Sequence, residues 1–176
     1  MKKSPSIFIL ILTMLAVTLT GCQLWSATFT DTLDLNDYQK TTLEEAGNII
    51  GLAVPTPTYL PEGYEVREVY IKDTGNSTEW IVVLLISDGG IEWKGEEYQC
   101  NMRLTVYWRD AGGLKMPWAE RVQIGDSYGM LEKEEDHNDL SWIIRPGRKL
   151  VLSAGKDIPT KELIKIAAST STSSSS

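Results

Sequence analysis

Trp80-Ile81-Val82-Val83-Leu84-Leu85-Ile86 is unbroken apolar, rich in β-branched residues, and stopped by Asp88-Gly89-Gly90. A run of this length is too short for a helix that is apolar all round and suits a strand covered on both faces. Its neighbours read as partners in an antiparallel sheet. Upstream, Tyr64, Val66, Glu68 and Tyr70 alternate with Glu65, Arg67, Val69 and Ile71, and Asp73-Thr74-Gly75-Asn76 supplies the turn of a hairpin. Downstream, Met102, Leu104, Val106 and Trp108 share one face of a strand, with Arg103, Thr105, Tyr107 and Arg109 on the other.

Further strands are predicted over Ala119–Ile124, Tyr128–Glu132, Leu140–Arg145 and Lys149–Ala154, separated by Gly125-Asp126, an acidic loop and Pro146-Gly147. The sheet therefore has about six to seven strands, and helices flank it rather than alternate with it. At the N-terminal side, Thr41-Thr42-Leu43-Glu44-Glu45 carries a capping pattern, Leu43, Ala46, Ile49, Ile50 and Ala53 form an apolar stripe, and Gly51 is a stop. Pro55, Pro57 and Pro61 then keep the chain extended up to a Pro-Glu-Gly turn. At the C-terminal side, a helix follows Asp157-Ile158-Pro159-Thr160, with Leu163, Ile166 and Ala167 on a common face. The fold class is α+β, an antiparallel sheet packed with an N-terminal and a C-terminal helix, in a globular domain spanning 41–168.

The ends of the chain differ from this domain. Met1-Lys2-Lys3 and the apolar Ile7–Leu19 have the form of an export signal, and the apolar run is shorter than the roughly 20 residues needed to span a bilayer. Leu19-Thr20-Gly21-Cys22 resembles the lipobox of bacterial lipoproteins. The resemblance implies cleavage between Gly21 and Cys22, diacylglycerol on the Cys22 thiol and a palmitate-type chain on the new amino terminus. Residues 1–21 are then a signal peptide and 22–40 a tether. The implied location is the extracytoplasmic face of a cell membrane or outer membrane, where two or three acyl chains anchor stably. The residues 169–176, all Ser and Thr, are expected to form a disordered tail.

A second resemblance rests on Glu44-Glu45-Ala46, on Pro57-Thr58-Tyr59-Leu60-Pro61-Glu62-Gly63-Tyr64, and on the Glu162–Ser169 helix. Together these are similar to the unknown-function 4367 family, found in bacterial lipoproteins and after the membrane span of anti-sigma factors. The family implies a regulatory setting in the cell envelope and brings no catalytic residues. The anti-sigma half is absent from this chain.

Chemistry-bearing patterns are sparse. The net charge of −7 becomes more negative by two when Lys2 and Lys3 leave, which disfavours nucleic acid and anionic lipid as partners. If Cys22 carries lipid, Cys100 has no partner in the chain and is either a buried apolar residue or an exposed thiol. His137, the sole histidine, lies in the acidic run Glu132–Asp139, which lacks the glycine and spacing of a calcium loop and reads as a solvated hairpin tip. Ser127 and Ser141 lack a Gly-x-Ser-x-Gly elbow, and Gly89-Gly90 and Gly112-Gly113 lack a following Lys-Ser/Thr, so neither a hydrolase nor a phosphate loop is indicated. Asn76-Ser77-Thr78 is a glycosylation sequon in form, and its turn position accounts for it. Neither a metal nor a cofactor is called for.

Tryptophans are the more informative residues. Trp80, Trp108 and Trp142 fall within strands and suit the core. Trp93 and Trp118 fall near loops, where they either lid the sheet or form an aromatic binding surface for peptide, glycan or lipid. The sequence thus points to a non-enzymatic, lipid-anchored module that binds an unidentified protein or peptide and touches the membrane through Cys22. The alternative is a carrier or chaperone for an apolar ligand, an acyl chain or a lipoprotein, which requires a continuous apolar cavity.

Overall fold

The computed structural model describes residues 28–34, 36–75, 79–108, 114, 117–145 and 148–171. In chain order the elements are β1 (Phe29–Thr32), β2 (Gln39–Thr41), α1 (Leu43–Ile50), β3 (Thr56–Pro57), β4 (Glu65–Asp73), β5 (Trp80–Ser87), β6 (Glu92–Lys94) and β7 (Glu97–Cys100). They continue as β8 (Met102–Trp108), β9 (Glu120–Ile124), β10 (Ser127–Lys133), β11 (His137–Arg145), β12 (Arg148–Gly155), α2 (Thr160–Ser169) and β13 (Thr170–Ser171). Eight strands form one antiparallel sheet in the order β2-β4-β5-β8-β12-β11-β10-β9. The sheet is larger than the six to seven strands expected. A three-stranded sheet, β1-β7-β6, and the two-stranded pair β13-β3 complete the β structure.

The 80–86 run forms β5 as expected, hydrogen-bonded on both sides by β4 and β8, with Val82, Leu84, Leu85 and Ile86 fully buried. Even-numbered β5 side chains meet Leu104, Leu152, Leu140 and Trp142 in the main core, beneath the two helices. Odd-numbered ones, Val83 and Leu85, meet Phe29, Leu33, Tyr98 and Cys100 in a second, smaller core under the three-stranded sheet. Three layers result: helices, the large sheet, the small sheet. An all-apolar β5 is what burial on both faces demands.

Local chemistry sets the helices. Thr42 caps α1: its hydroxyl accepts from the Glu45 backbone N–H at 3.1 Å, and the Glu45 carboxylate accepts from the Thr42 N–H at 3.2 Å. Gly51 ends the helix at φ 74°, the left-handed conformation that glycine adopts without a Cβ penalty. Ala46 is buried, whereas Ile49 is exposed, so the stripe read from the sequence is narrower than drawn. In α2, Leu163, Ile166 and Ala167 are buried as predicted. The Tyr59 hydroxyl donates to Glu162 at 2.8 Å, and Lys165 lies over the Tyr59 ring, tying the proline-rich segment to this helix.

Two boundaries move. The 22–40 tether was placed too far along the chain: Phe29 and Leu33 are buried and β1 and β2 belong to the fold, because those apolar residues fill the second core. At the other end, Ser169 closes α2 by donating to the Ile166 carbonyl at 2.7 Å, and Thr170–Ser171 pair with Thr56–Pro57, so 169–171 belong to the fold and not to the expected tail, whose residues 172–176 lie outside the described residues. The alternation in β4 is also not continuous. A bulge between Val66 and Glu68 shifts its phase, so Val69 and Ile71 face the helices while Glu68 and Tyr70 face the small sheet. Gly21, Cys22, the 76–78 sequon, Gly112-Gly113 and Pro146-Gly147 lie outside the described residues. Among the described residues no helix is long and apolar enough to cross a membrane.

Candidate functional site

Residues directly opposite one another in an antiparallel sheet point to the same face. Following register across the large sheet therefore defines rows, and one is unusual: Glu68, Leu85, Arg103, Ser153, Asp139 and Glu132 stand side by side from β4 to β10. This polar row lies on the face away from the helices. A tryptophan stands at each end, and they are the two singled out from the sequence.

At the β4 end, the Trp93 indole N–H donates to Glu68 at 3.1 Å, the Tyr70 hydroxyl donates to it at 2.7 Å, and Lys40 bridges it at 2.5 Å. Burial pushes the Glu68 carboxyl up, but hydrogen bonds from Lys40, Tyr70 and Trp93 more than offset this and hold it below its ordinary value. Trp93 is half-buried in β6, packed edge-on to Tyr70 at 5.7 Å and tilted on Tyr98 at 5.3 Å. It serves as a lid over the second core.

At the β10 end, Trp118 donates to Glu132 at 2.6 Å and is 70% exposed. Between the two tryptophans run β5, β8, β12 and β11, so they stand on the order of 24 Å apart at the usual strand spacing. They do not form one platform. Trp118 instead adjoins the part of this face that takes no part in the second core. There Tyr128 is 48% exposed with Arg121 stacked over its ring at 3.8 Å, and Lys149 lies over Tyr107 at 5.9 Å. Met130, Ile143 and Val151 are half-buried between them. The arrangement is a sheet surface with an apolar middle, aromatic rims and cations at its border.

The middle of the row is Arg103, a residue read from the sequence only as the polar side of β8. It pairs with Asp31 of β1 and donates to the Tyr98 hydroxyl oxygen at 3.2 Å and to the Ser153 hydroxyl at 3.2 Å. Burial would lower its pKa, yet the Tyr98 and Asp31 oxygens around it raise it, so the guanidinium stays charged. Its Nε is buried without a hydrogen bond, and Oδ1 of Asp139, two strands away in the same row, accepts none either, with His137 Nε2 at 3.6 Å. No feature local to the sequence could show this, because Asp31, Arg103, Ser153 and Asp139 meet only through register.

His137 was expected on a hairpin tip. It is instead the first residue of β11, half-buried, stacked on Phe29 at 5.5 Å, with its Nδ1 2.6 Å from Asp136 and Nε2 3.6 Å from Asp139. Ser141 is buried on this face and Ser127 is exposed at the β9–β10 turn, and neither contacts the His137 ring. Cys100 is buried and free, and burial pushes its thiol up to about 12, so the buried apolar alternative holds. Among the described residues no group of three or more His, Cys, Asp or Glu side chains converges as a metal site.

Clefts bear on the carrier reading. One of about 540 Å³ lies at the C-terminal end of α1, lined by Leu43, Gly47, Leu52 and Val54 together with Glu44 and Asn48, and opens to solvent. Its lining comes from α1 and the segment after it and includes no residue of the large sheet. Comparison with protein-family models, with curated proteins and with solved structures finds no match.

Proposed function

We propose that this chain is a lipid-anchored, extracytoplasmic module without enzymatic activity, which binds a protein or peptide in envelope sensing or regulation. Anchoring is supported by Leu19-Thr20-Gly21-Cys22 and the preceding apolar run. Binding is supported by one observation above others: the Trp118–Tyr128 end of the sheet carries large aromatic side chains into solvent beside half-buried Met130, Ile143 and Val151. Exposed aromatics next to apolar surface and cations have the composition of an interface centre. The open cleft at α1 gives the carrier alternative less support than this surface gives a binding module.

The test places a photo-crosslinking residue at position 128 and, as control, at the exposed Glu44 on α1. A specific adduct formed in membranes from position 128, absent from position 44 and lost with Trp118→Ala, is the expected result. Equal adducts from both positions, or none, refute the binding surface. Separately, Cys22→Ser releases the protein into the soluble fraction, and unchanged membrane retention refutes the anchor.

A further inference from the structure

Away from the Trp118–Tyr128 surface, β1 covers the edge of β7 and the Arg103 row. β1 hydrogen-bonds to β7 alone, through the register Phe29↔Cys100, Thr30↔Gln99, Asp31↔Tyr98 and Thr32↔Glu97. Its inward side chains are plugs: Phe29 against the His137 ring, Asp31 on Arg103, and Leu33 in the second core. Without β1 the edge of β7 would present unpaired backbone groups above the Arg103–Ser153–Asp139 row. An edge with free main-chain donors and acceptors, beside alternate side-chain pockets, is how a sheet takes up an extended peptide.

The fit of β1 is incomplete. Asp31 engages one terminal nitrogen of Arg103 and leaves Nε buried without a hydrogen bond. Guanidinium groups are best satisfied by a carboxylate that reaches two nitrogens at once, and a buried polar atom left unpaired costs free energy. The Arg103 Nε is therefore a donor that a two-point carboxylate contact would use and that Asp31 does not.

We infer that the β7 edge and the Arg103 row form an acceptor groove for an extended acidic peptide of a partner protein, patterned aromatic-x-Glu-x-Leu, which β1 occupies in cis as an autoinhibitory strand. The pattern is that of Phe29-Thr30-Asp31-Thr32-Leu33 with the carboxylate extended by one methylene.

The test uses the full chain carrying Cys22→Ser, which leaves Cys100 as the single thiol. The probe is a fluorescent synthetic peptide of residues 28–34 bearing Asp31→Glu. Phe29→Ala loosens the cis strand, and since apparent affinity scales with the fraction of free groove, the peptide binds this variant about fivefold or more tightly than the parent by anisotropy. Adding Arg103→Met lowers that affinity by about tenfold or more, the usual loss for a hydrogen bond to a charged group. Cys100, opposite position 29, reacts faster with a thiol reagent in Phe29→Ala, and the peptide restores its protection. If Phe29→Ala fails to fold, Asp31→Ala carries the same test. No binding to either folded variant overturns the proposal, as does binding indifferent to Arg103→Met. Dimerisation by exchange of β1, in place of peptide uptake, assigns the groove to a second copy and also overturns it. All of these outcomes are independent of the Trp118–Tyr128 surface.

Discussion

Replacing Gly129 by alanine tests the packing of the β9–β10–β11 end of the sheet. Gly129 lies in β10, opposite Trp142 on one side and Val122 on the other, on the face that meets the helices. An added Cβ would stand 2.6 Å from Cδ1 of Ile124, 2.9 Å from the Ser141 carbonyl oxygen and 3.2 Å from Cδ1 of Leu140. The two methyl groups can rotate away at modest cost, but the Ser141 oxygen belongs to the β10–β11 ladder and moves only with the backbone. Overpacking of this kind costs about 1–3 kcal/mol, which for a chain of this size lowers Tm by about 2–4 °C per kcal/mol. The control is Gly89→Ala, where nothing lies within 4 Å of the new Cβ; a neutral or slightly positive change of up to about 1 kcal/mol follows from the stiffer unfolded chain. Urea and thermal melts of the two variants should separate by about 1–4 kcal/mol with the same m value. If Gly129→Ala melts with Gly89→Ala, the packing described for this end of the sheet is wrong.

Other expectations concern the core, a cap and pH. Leu84→Ala, at the fully buried centre of β5, should cost about 2–5 kcal/mol in urea melts, and a cost under about 1 would contradict its burial in the core beneath the helices. Thr42→Ala removes one half of the α1 capping box and should cost about 0.5–2 kcal/mol, with Thr42→Ser recovering most of it. Burial raises the Cys100 thiol to about 12 and, with Asp88 adding to burial, the Tyr64 hydroxyl to about 12. The folded state then holds these protons more tightly than the unfolded one, so stability is full below about pH 9 and falls as pH rises towards 12. A flat melting temperature from pH 8.5 to 11 would refute this, and Cys100→Ala should reduce the slope. Glu68, held low, contributes in the opposite sense: its stabilisation is present above the ordinary carboxylate range and is lost as pH falls through its folded value, and Glu68→Gln should flatten that acid limb.

What could be read from residues alone follows the strength of local pattern. The all-apolar β5, the apolar face of β8 and the capped α1 each carry a periodicity or a cap that local chemistry dictates, and each is found in place. The small sheet was not legible, because β1, β6 and β7 are only 3–4 residues long, polar on their outer side, and broken by Gly95-Glu96. Missing it made Phe29 and Leu33 look like parts of a tether, Trp93 like a loop residue, and Arg103 and Thr105 like solvent-facing positions. For Trp118 the sequence leaves lid and binding surface both open, and its exposure and link to Glu132 depend on how β10 lies in the sheet. The polar row is the clearest case of information held in register: its members are spread from residue 68 to residue 153 and become neighbours only across six paired strands.

On the proposed lipid anchor, the early start of β1 would also limit how far the domain could stray from a membrane. With lipid on Cys22, only seven residue steps separate the acylated atom from Phe29, a leash of about 25 Å at full stretch. A domain of about 150 residues has a radius of gyration of about 15 Å and so is wider than its leash is long. If the proposed anchor holds, such a body would be restricted in how it turns at its mooring, with the edge carrying β1 nearest the membrane. On that proposal a partner in the same membrane would meet that edge first, and one arriving from solution the far side of the sheet.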